Sequence, residues 1–483
     1  MSSAPVGTYT RMFPRLRWKL TRPPADVEEG LRELGRAMRD TEPPIEPINQ
    51  PDVATAGYTY WGQFVDHDLT LDLTPLDHVS SDVAQIRNFR TPLLDLDNLY
   101  GGGPSVSPFL YERGSHGAER FLVGKTTPDE TPNDLPRNEQ GIALVGDPRQ
   151  DENLIIAQFH VAFLKLHNLV IGRRAELEAS PHYLAGGATD FVAAQRIVRW
   201  HYQYTIRHDF MTRLLDRSVV DELPQLEREA IAGARRKVGM PVEFSAAAFR
   251  FGHSMVRDVY KSINRHHEDV NLATLLARTG AYGGAAPRLP AEWVVDWNRF
   301  FEIPPNTSHL SRIRKIDTQV ALGLHQLEEP TVKQFNVLLH SPRPLEVQLP
   351  VRTLLRGYRL RLPSGEDVAE RLLRDKPGTR RLTEDEIIAG PHKEILSNPR
   401  YGFRGQTPLW YYILKEAEVL NNGRRLGPVG SYIVARVLLR AIAAAEDSYF
   451  GAPGWQPTLD RGEAVSMARI LNFVSRASTR SNT

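Results

Sequence analysis

In YWGQFVDHDLTLDL (residues 60–73), Gln63, Asp66, His67 and Asp68 bring an amide, two carboxylates and an imidazole into six positions. On a helix, Gln63 and His67 are four apart and share a face, with Asp66 beside them, while Asp68 is turned about 100° from His67. One turn thus offers an amide, a carboxylate and a proton-transferring imidazole to one cavity, and aims a second carboxylate elsewhere. The plainer reading is a solvated polar face. Against it, the cluster is embedded among Trp61, Phe64, Val65 and Leu69, and buried carboxylates need a partner or a role. A second pattern is Arg149 and Glu152 in GDPRQDEN, three apart, facing one pocket from a turn that leads into a helix. A guanidinium stays protonated and suits developing negative charge, although an ordinary salt bridge has the same spacing. A third is Arg250, Gly252 and His253 in AFRFGHSMVRDV, where the imidazole could bind a metal or simply fill a helix face.

The three patterns gain meaning together. WGQFVDHDL resembles the distal-helix motif of the animal-type haem peroxidases, the peroxidase–cyclooxygenase superfamily. The resemblance implies that His67 is the distal acid–base histidine and that Gln63 holds the distal water or a halide. It makes Asp66 an ester link to haem b and Asp68 a calcium ligand. ALVGDPRQDENLIIAQFHVAFLKLHN resembles the second distal motif, with Arg149 as the catalytic arginine and Glu152 as the second ester-forming carboxylate. Some members carry Met where Asn153 stands and form a sulfonium link; Asn cannot, so that link is expected to be absent. His167 matches a recurring position and is read as a core histidine. AFRFGHSMVRDV resembles the proximal segment, with His253 the iron ligand and Gly252 letting the porphyrin approach the backbone. Arg250 occupies the place where the cyclooxygenase branch has a radical tyrosine.

Two further segments resemble the family. PVRTLLRGYRLRLPSGEDVAE matches a later haem-contacting stretch, with Arg356 near a propionate. Thr353 stands where the family has an Asn that accepts the proximal histidine N–H; a shorter acceptor implies a weaker proximal pull and a higher iron potential. RTPLLDLDNLYGGG resembles the calcium loop, with Thr91, Asp95 and Asp97 as side-chain ligands and Leu93 contributing its carbonyl. With Asp68 these are hard oxygen donors of the kind Ca²⁺ takes. VVDWNRFFEIP, KIDTQV and the stretch from TPLWYYILKEAEVLNN to PGWQPTL resemble bacterial members of the superfamily, and the likeness runs from about residue 50 to about residue 460. It implies a haem peroxidase that reduces hydrogen peroxide to water through a ferryl intermediate. The donors would be halide, thiocyanate or small phenols. A fatty-acid dioxygenase of the same superfamily and a non-catalytic haem-binding or sensor protein are the alternatives; Arg250 counts against the first and the full distal set against the second.

The elements that must position these residues read as helices. Periodicity predicts helices over 26–40, 55–71, 152–178, 190–218, 222–238, 244–263, 291–301, 332–339, 364–373, 408–421 and 429–445, with one weak strand at 344–350. The expected fold is mainly α: one large helical domain, 26–483, around a buried haem, with 1–25 as a basic arm lying on it. The His-rich NRHHED at 264–269 reads as a solvated helix end.

Composition agrees with a globular protein: 483 residues, 41% hydrophobic and 24% charged. Sixty basic against 58 acidic residues leave +2, with no whole-chain footprint for nucleic acid. The chain has no cysteine, which removes disulfides, thiolate catalysis, iron–sulfur clusters and thiolate-ligated haem. The N-terminus carries no apolar signal core and the 431–445 stretch is interrupted by Arg436 and Arg440, so no transmembrane segment is expected. A cytoplasmic location is the default expectation, with non-classical export left open.

Overall fold

The computed structural model describes residues 7–19, 21–40, 52–79, 82–113, 117–173, 182–183, 186–234, 238–279, 288–305, 309–327, 347–374, 376, 379–459 and 465–480. Helices dominate it. Strand β1 (Gly7–Thr10) runs antiparallel to β2 (Arg87–Asn88) and parallel to β3 (Met240–Pro241), so residues of the N-terminal arm form the middle of a small sheet. Tyr9 and Phe13 are buried there, and the Glu243 carboxylate accepts from the Met12 and Phe13 amides at 2.9 and 3.2 Å.

Helix α1 (Pro24–Ala37) starts at proline and buries Val27, Leu31 and Leu34 at three- and four-residue spacing. It lies so close to the later helix over Leu349–Arg359 that a Cβ on Gly35 would come within 2.7 Å of Val351. Helix α2 (Gly57–Leu69) is buried on most faces and packs on α3 (Leu154–Ile171). The two share a core of stacked rings, Phe64 on Phe163 at 5.0 Å and on Phe159 at 5.2 Å. Helix α3 is long and apolar enough to cross a membrane, but 83% of it is buried inside the molecule, as befits a central core helix.

Helix α4 (Asp190–Thr205) continues through a π-turn, Ile206–Phe210, and one more turn before Leu215 leaves the helix; the chain then re-enters at α5 (Arg217–Ala232), capped by Asp216. Helices α6 (Leu349–Arg359), α7 (Gly365–Leu373), α8 (Leu409–Asn421), α9 (Pro428–Ala444) and α10 (Met467–Arg480) complete the body. Buried Glu416 on α8 accepts from the Val429 amide at 2.9 Å, capping α9 from outside.

Three expectations need correction. Residues 244–263 are not one helix: short turns at Val242–Ser245, Ala248–Phe251 and Gly252–Met255 lead into strand β4 (Val259–Ser262). The alternation that buries Tyr260 and Ser262 has period two and was masked by the apolar run before it. Strand β4 pairs with β5 (Glu268–Asn271), and NRHHED is the hairpin connection, with His267 stacked on Trp293, not a helix end. Residues 291–301 form two 3₁₀ turns, Ala291–Trp293 and Trp297–Arg299. The helix at 332–339 and residues 344–346 of the weak strand lie outside the described residues; Leu349 and Pro350 open α6.

Candidate active site

The exposed part of the α2 face opens on a cavity of about 300 Å³ lined by Gln63, Asp66 and His67. Arg149, Glu152 and Asn153 border it from the approach to α3, and Arg250, Gly252 and His253 from the turns before β4. A neighbouring cavity of about 240 Å³ shares Asp66, Arg149, Ser245, Arg250, Leu349 and Arg352 with it. The two are compartments of one slot, and both histidines face the larger.

Polar contacts fix the wall that carries Gln63 and His67. The Gln63 amide donates to Glu152 and accepts from Asn153 Nδ2 at 3.2 Å, while His67 Nε2 lies 3.6 Å from the same Glu152 carboxylate. Asn153 also caps α3, its Oδ1 accepting from the Ile156 amide at 2.9 Å, so one side chain both starts the helix and orients Gln63. Arg149 is anchored by Asp147, whose carboxylate takes its Nε at 3.1 Å and an NH₂ group at 2.8 Å. The same NH₂ group donates to the carbonyls of His67 and Thr70 at the end of α2. Asp66 lies 3.9 Å from the other guanidinium nitrogen. Burial alone would raise the Asp147 carboxyl; Arg149, then His67 and Arg90, hold it below the usual carboxylate range.

On the His253 side, burial and the nearby Arg250 and Arg352 push the imidazole down to about 3, so it is neutral and able to ligate metal. Its Nδ1 is buried without a hydrogen-bond partner. A Cβ on Gly252 would meet nothing within 4 Å. Thr353 does not accept from His253: its hydroxyl donates to the Leu349 carbonyl one turn back at 2.9 Å, the usual fate of a short hydroxyl inside a helix. It borders neither compartment, facing instead a small pocket with Trp410. Arg250 lines both compartments and donates to the Ser245 carbonyl at 3.0 Å; burial, with Arg356 and Arg352 nearby, lowers it to about 10.

This slot fits a haem. A neutral imidazole with a free nitrogen lies on its wall beside an open glycine face. The smaller compartment gathers the guanidinium groups of Arg149, Arg250, Arg352 and Arg356 against the carboxylates of Asp66 and Asp72, with Asp147 behind Arg149. That excess of positive charge suits two propionates. Arg356 is paired with Asp72 and borders the smaller compartment only.

Asp68 points away from the cavity. It is fully buried, and its carboxylate oxygens lie with those of Asp95 and Asp97 within 4.8 Å of one another. The Asp68 oxygens and one of Asp97 lack a well-formed hydrogen bond, although the Leu96 amide and the Tyr202 hydroxyl approach Asp68. Burial and then mutual repulsion raise the Asp68 carboxyl well above its ordinary value, and burial raises Asp95, opposed by Arg199. The Thr91 hydroxyl reaches both Asp95 oxygens, at 2.9 and 3.0 Å, and Leu93 lies between them in the loop. Leu96 adopts φ 63°, a left-handed conformation rare for a bulky residue, which keeps its amide on Asp68. Three crowded carboxylates with unmet oxygens form a donor set for a hard divalent cation.

The structure therefore brings together Gln63, Asp66, His67, Arg149, Glu152, Arg250 and His253, and separately Asp68, Thr91, Asp95 and Asp97. His167 lies in the core with Tyr100 and the Glu119 carbonyl on its nitrogens at 3.1 and 3.2 Å. Sequence reasoning missed Asp147, read only as part of a turn, and Arg352, although its place one turn before Arg356 signals a shared face. It missed Asp72 and Arg90 as well. Arg90 lies 3.5 Å from Asp97 and 3.2 Å from Asp147, bridging the acidic cluster and the Arg149 anchor.

Known proteins resemble this chain in sequence and fold. The family model for animal haem peroxidases matches residues 74–282, a span that begins after the α2 motif and includes Arg149 and His253. A peroxidase-like protein of Margaritifera margaritifera is 29% identical over 123 residues, which is 24% of this chain and 15% of that protein's length. Peroxidase A of Dictyostelium discoideum superposes with a TM-score of 0.63 at 16% identity, over 97% of this chain and 93% of its own. The fatty acid alpha-dioxygenase of Arabidopsis thaliana does so with a TM-score of 0.56 at 14% identity, over 95% and 76%. Residues 74–282 thus match the animal haem peroxidase domain, and the chain carries the mainly α-helical fold of Dictyostelium peroxidase A and the Arabidopsis dioxygenase.

Proposed function

We propose that this protein is a haem-dependent peroxidase that reduces hydrogen peroxide to water and oxidises halide, thiocyanate or a small phenolic donor. The observation that carries the reading is that one cavity is lined by a distal set, Gln63, His67 and Arg149, and by a neutral His253. Haem, bound through His253, supplies the electron transfer that cleaves the peroxide bond and oxidises the donor. His67 takes the first peroxide proton at Nε2 and returns it to the departing oxygen. Arg149, locked on Asp147 and the end of α2, holds its positive charge beside that oxygen. Gln63, oriented by Asn153, holds the water or halide next to His67. Arg250, Arg352 and Arg356 hold the propionates. Asp66 and Glu152 line the cavity, and their carboxylates would supply the ester links. Asp68, Thr91, Asp95, Asp97 and the Leu93 carbonyl would hold a Ca²⁺ ion, and because Asp68 follows His67 directly they would thereby fix the end of α2.

The test is the absorption spectrum of haem-loaded protein before and after one equivalent of hydrogen peroxide. A Soret band that shifts and recovers on adding bromide or a phenol is expected, with the shift slowed at least a hundredfold in His67→Ala, about the size of a lost acid–base catalyst. A Soret band indifferent to peroxide, or unchanged in His253→Ala, refutes the reading. Oxygenation of linoleate without a donor would point to a dioxygenase instead.

A further inference from the structure

Two tyrosines of α2, Tyr58 and Tyr60, line the cavity, and their hydroxyls meet different partners. Tyr60 donates to the Tyr260 hydroxyl at 2.7 Å, and Tyr260 accepts in turn from the Arg257 amide. A phenol is a poor base, so this pair cannot take up a proton. Tyr58 donates to Asp209 Oδ1 at 2.5 Å, a short bond to a carboxylate. Asp209 sits on the π-turn Ile206–Phe210, the irregular turn that ends α4, and its other oxygen accepts from the Met467 amide at 2.9 Å. Such turns recur at functional sites.

We propose that Tyr58 is a redox-active side chain of the haem cavity: it yields one electron to an oxidised haem while its phenolic proton moves to Asp209. The Tyr58 O–H bond breaks, an O–H bond forms on Asp209 Oδ1, and the haem-centred oxidant is reduced by one electron. The products are a neutral phenoxyl and a neutral carboxylic acid, and an electron from an external donor reverses the step. The inference rests on the peroxidase reading only for the source of the oxidant.

The surroundings favour it. Burial and the facing Asp209 raise the Tyr58 hydroxyl well above its ordinary value, so the phenol keeps its proton until it is oxidised. Burial also raises the Asp209 carboxyl, against the pull of Tyr58, the Met467 amide and Arg213, which improves it as a proton acceptor. Arg213 and Glu302 are the other charged groups facing the pair; they bond to each other at 3.3 Å at the edge of solvent, with Arg312 also on Glu302. Trp61 at 5.6 Å and Phe301 at 5.7 Å pack the Tyr58 ring. Tyr58 is therefore one side chain deep between the cavity and a half-exposed ion pair. An oxidising equivalent stored there is within reach of donors too bulky to enter the cavity.

Haem-loaded parent, Tyr58→Phe, Tyr60→Phe and Asp209→Asn proteins are oxidised in two ways, by one equivalent of hydrogen peroxide and by flash-generated ruthenium(III) tris-bipyridine. Each is frozen and examined by EPR. The expected result is a tyrosyl signal that narrows with ring-deuterated tyrosine. It should be absent in Tyr58→Phe, retained in Tyr60→Phe and at least tenfold weaker in Asp209→Asn, in line with losing a positioned base. A signal of unchanged shape and size in Tyr58→Phe, or none with either oxidant, overturns the proposal. If Asp209→Asn does not fold, the two Phe variants still decide it. A Tyr58 signal from the flash oxidant with a Soret band indifferent to peroxide would leave this inference standing and remove the peroxidase reading. A responsive Soret band with a Tyr58-independent radical would do the reverse.

Discussion

Asp147 should be among the most sensitive positions that do not touch substrate. It is fully buried and holds Arg149 through Nε at 3.1 Å, an NH₂ group at 2.8 Å and the Arg149 amide at 2.9 Å, and it holds Arg90 at 3.2 Å. Asp147→Asn keeps the shape and one acceptor but leaves two largely buried guanidinium groups short of an anion. Removing one partner of a buried pair costs about 3–5 kcal/mol. At about 2.1 cal/mol/K of unfolding entropy per residue, a 483-residue chain loses about 1 °C of Tm per kcal/mol, so calorimetry should show a fall of about 3–5 °C. The pH dependence is the sharper check. Arg149, His67 and Arg90 hold the folded carboxyl below its ordinary value, so its stabilisation is fully present above the unfolded pKa of about 3.9 and fades only as pH falls below that. The gap between parent and variant should therefore stay flat from pH 8 to pH 5 and narrow below about pH 4. Arg149 also loses its anchor, so the Soret response to peroxide should slow at least tenfold. A variant within 1 °C of the parent, or a gap that closes between pH 8 and pH 5, would refute the assignment of Asp147 as the charged anchor; about 3 kcal/mol is the least that a broken buried pair should cost.

Acid should destabilise the protein through His167 and His201, both lowered to about 4 by burial. His201 Nε2 accepts from the Thr458 and Leu459 amides at 2.9 and 3.1 Å, so a proton there would face two donors. Their folded values lie below the unfolded 6.5, so stability should drop as pH falls from about 6.5 towards 4, by at most roughly 3 kcal/mol per histidine; urea midpoints across that window measure it, and a flat profile counts against buried neutral imidazoles. Gly365→Ala places a Cβ 2.1 Å from Tyr412 and should lower the urea midpoint by the equivalent of about 1–3 kcal/mol or prevent folding; a midpoint equal to the parent's would contradict the close approach of α7 and α8. Thr353→Asn should supply an acceptor for the orphaned His253 Nδ1 and lower the haem reduction potential by about 40 mV, the one-electron equivalent of a hydrogen bond of about 1 kcal/mol. Spectroelectrochemistry showing no change, or a rise, would count against it.

The parts of the site legible in the sequence are those whose geometry is local. Gln63, Asp66 and His67 reach one cavity because helical spacing fixes their direction, and Asp68 turns away for the same reason. Arg149 and Glu152 follow from a turn and a helix start. The contacts that decide what these groups do are long-range and leave no spacing signal. The Asn153 bond to Gln63 joins positions 90 residues apart, and Tyr58 meets Asp209 across 151. The proximal segment misled for a different reason: its apolar run is compatible with a helix, but tertiary packing breaks it into single turns so that His253 can face the slot. Thr353 shows the limit of a motif, since its short side chain turns to its own helix.

Helix α2 is set in place by charge on three sides, and this explains why its polar residues can be buried at all. Near its start, Tyr58 is tied to Asp209. At its end, the His67 and Thr70 carbonyls take Arg149, itself bound to Asp147. On the face away from the cavity, Asp68 enters the acidic cluster with Asp95 and Asp97. Arg90 joins the last two anchors, lying against both Asp97 and Asp147. A cation among the three carboxylates would weaken the pull of Asp97 on Arg90 and free its charge for Asp147, so occupancy of that cluster would reach Arg149 through Arg90 and Asp147 in turn. Rotation of α2 by a single residue, about 100°, would remove His67 from the cavity and Asp68 from the cluster together. The adjacency of these two residues therefore makes the shape of the acidic cluster and the aim of the His67 imidazole parts of one constraint.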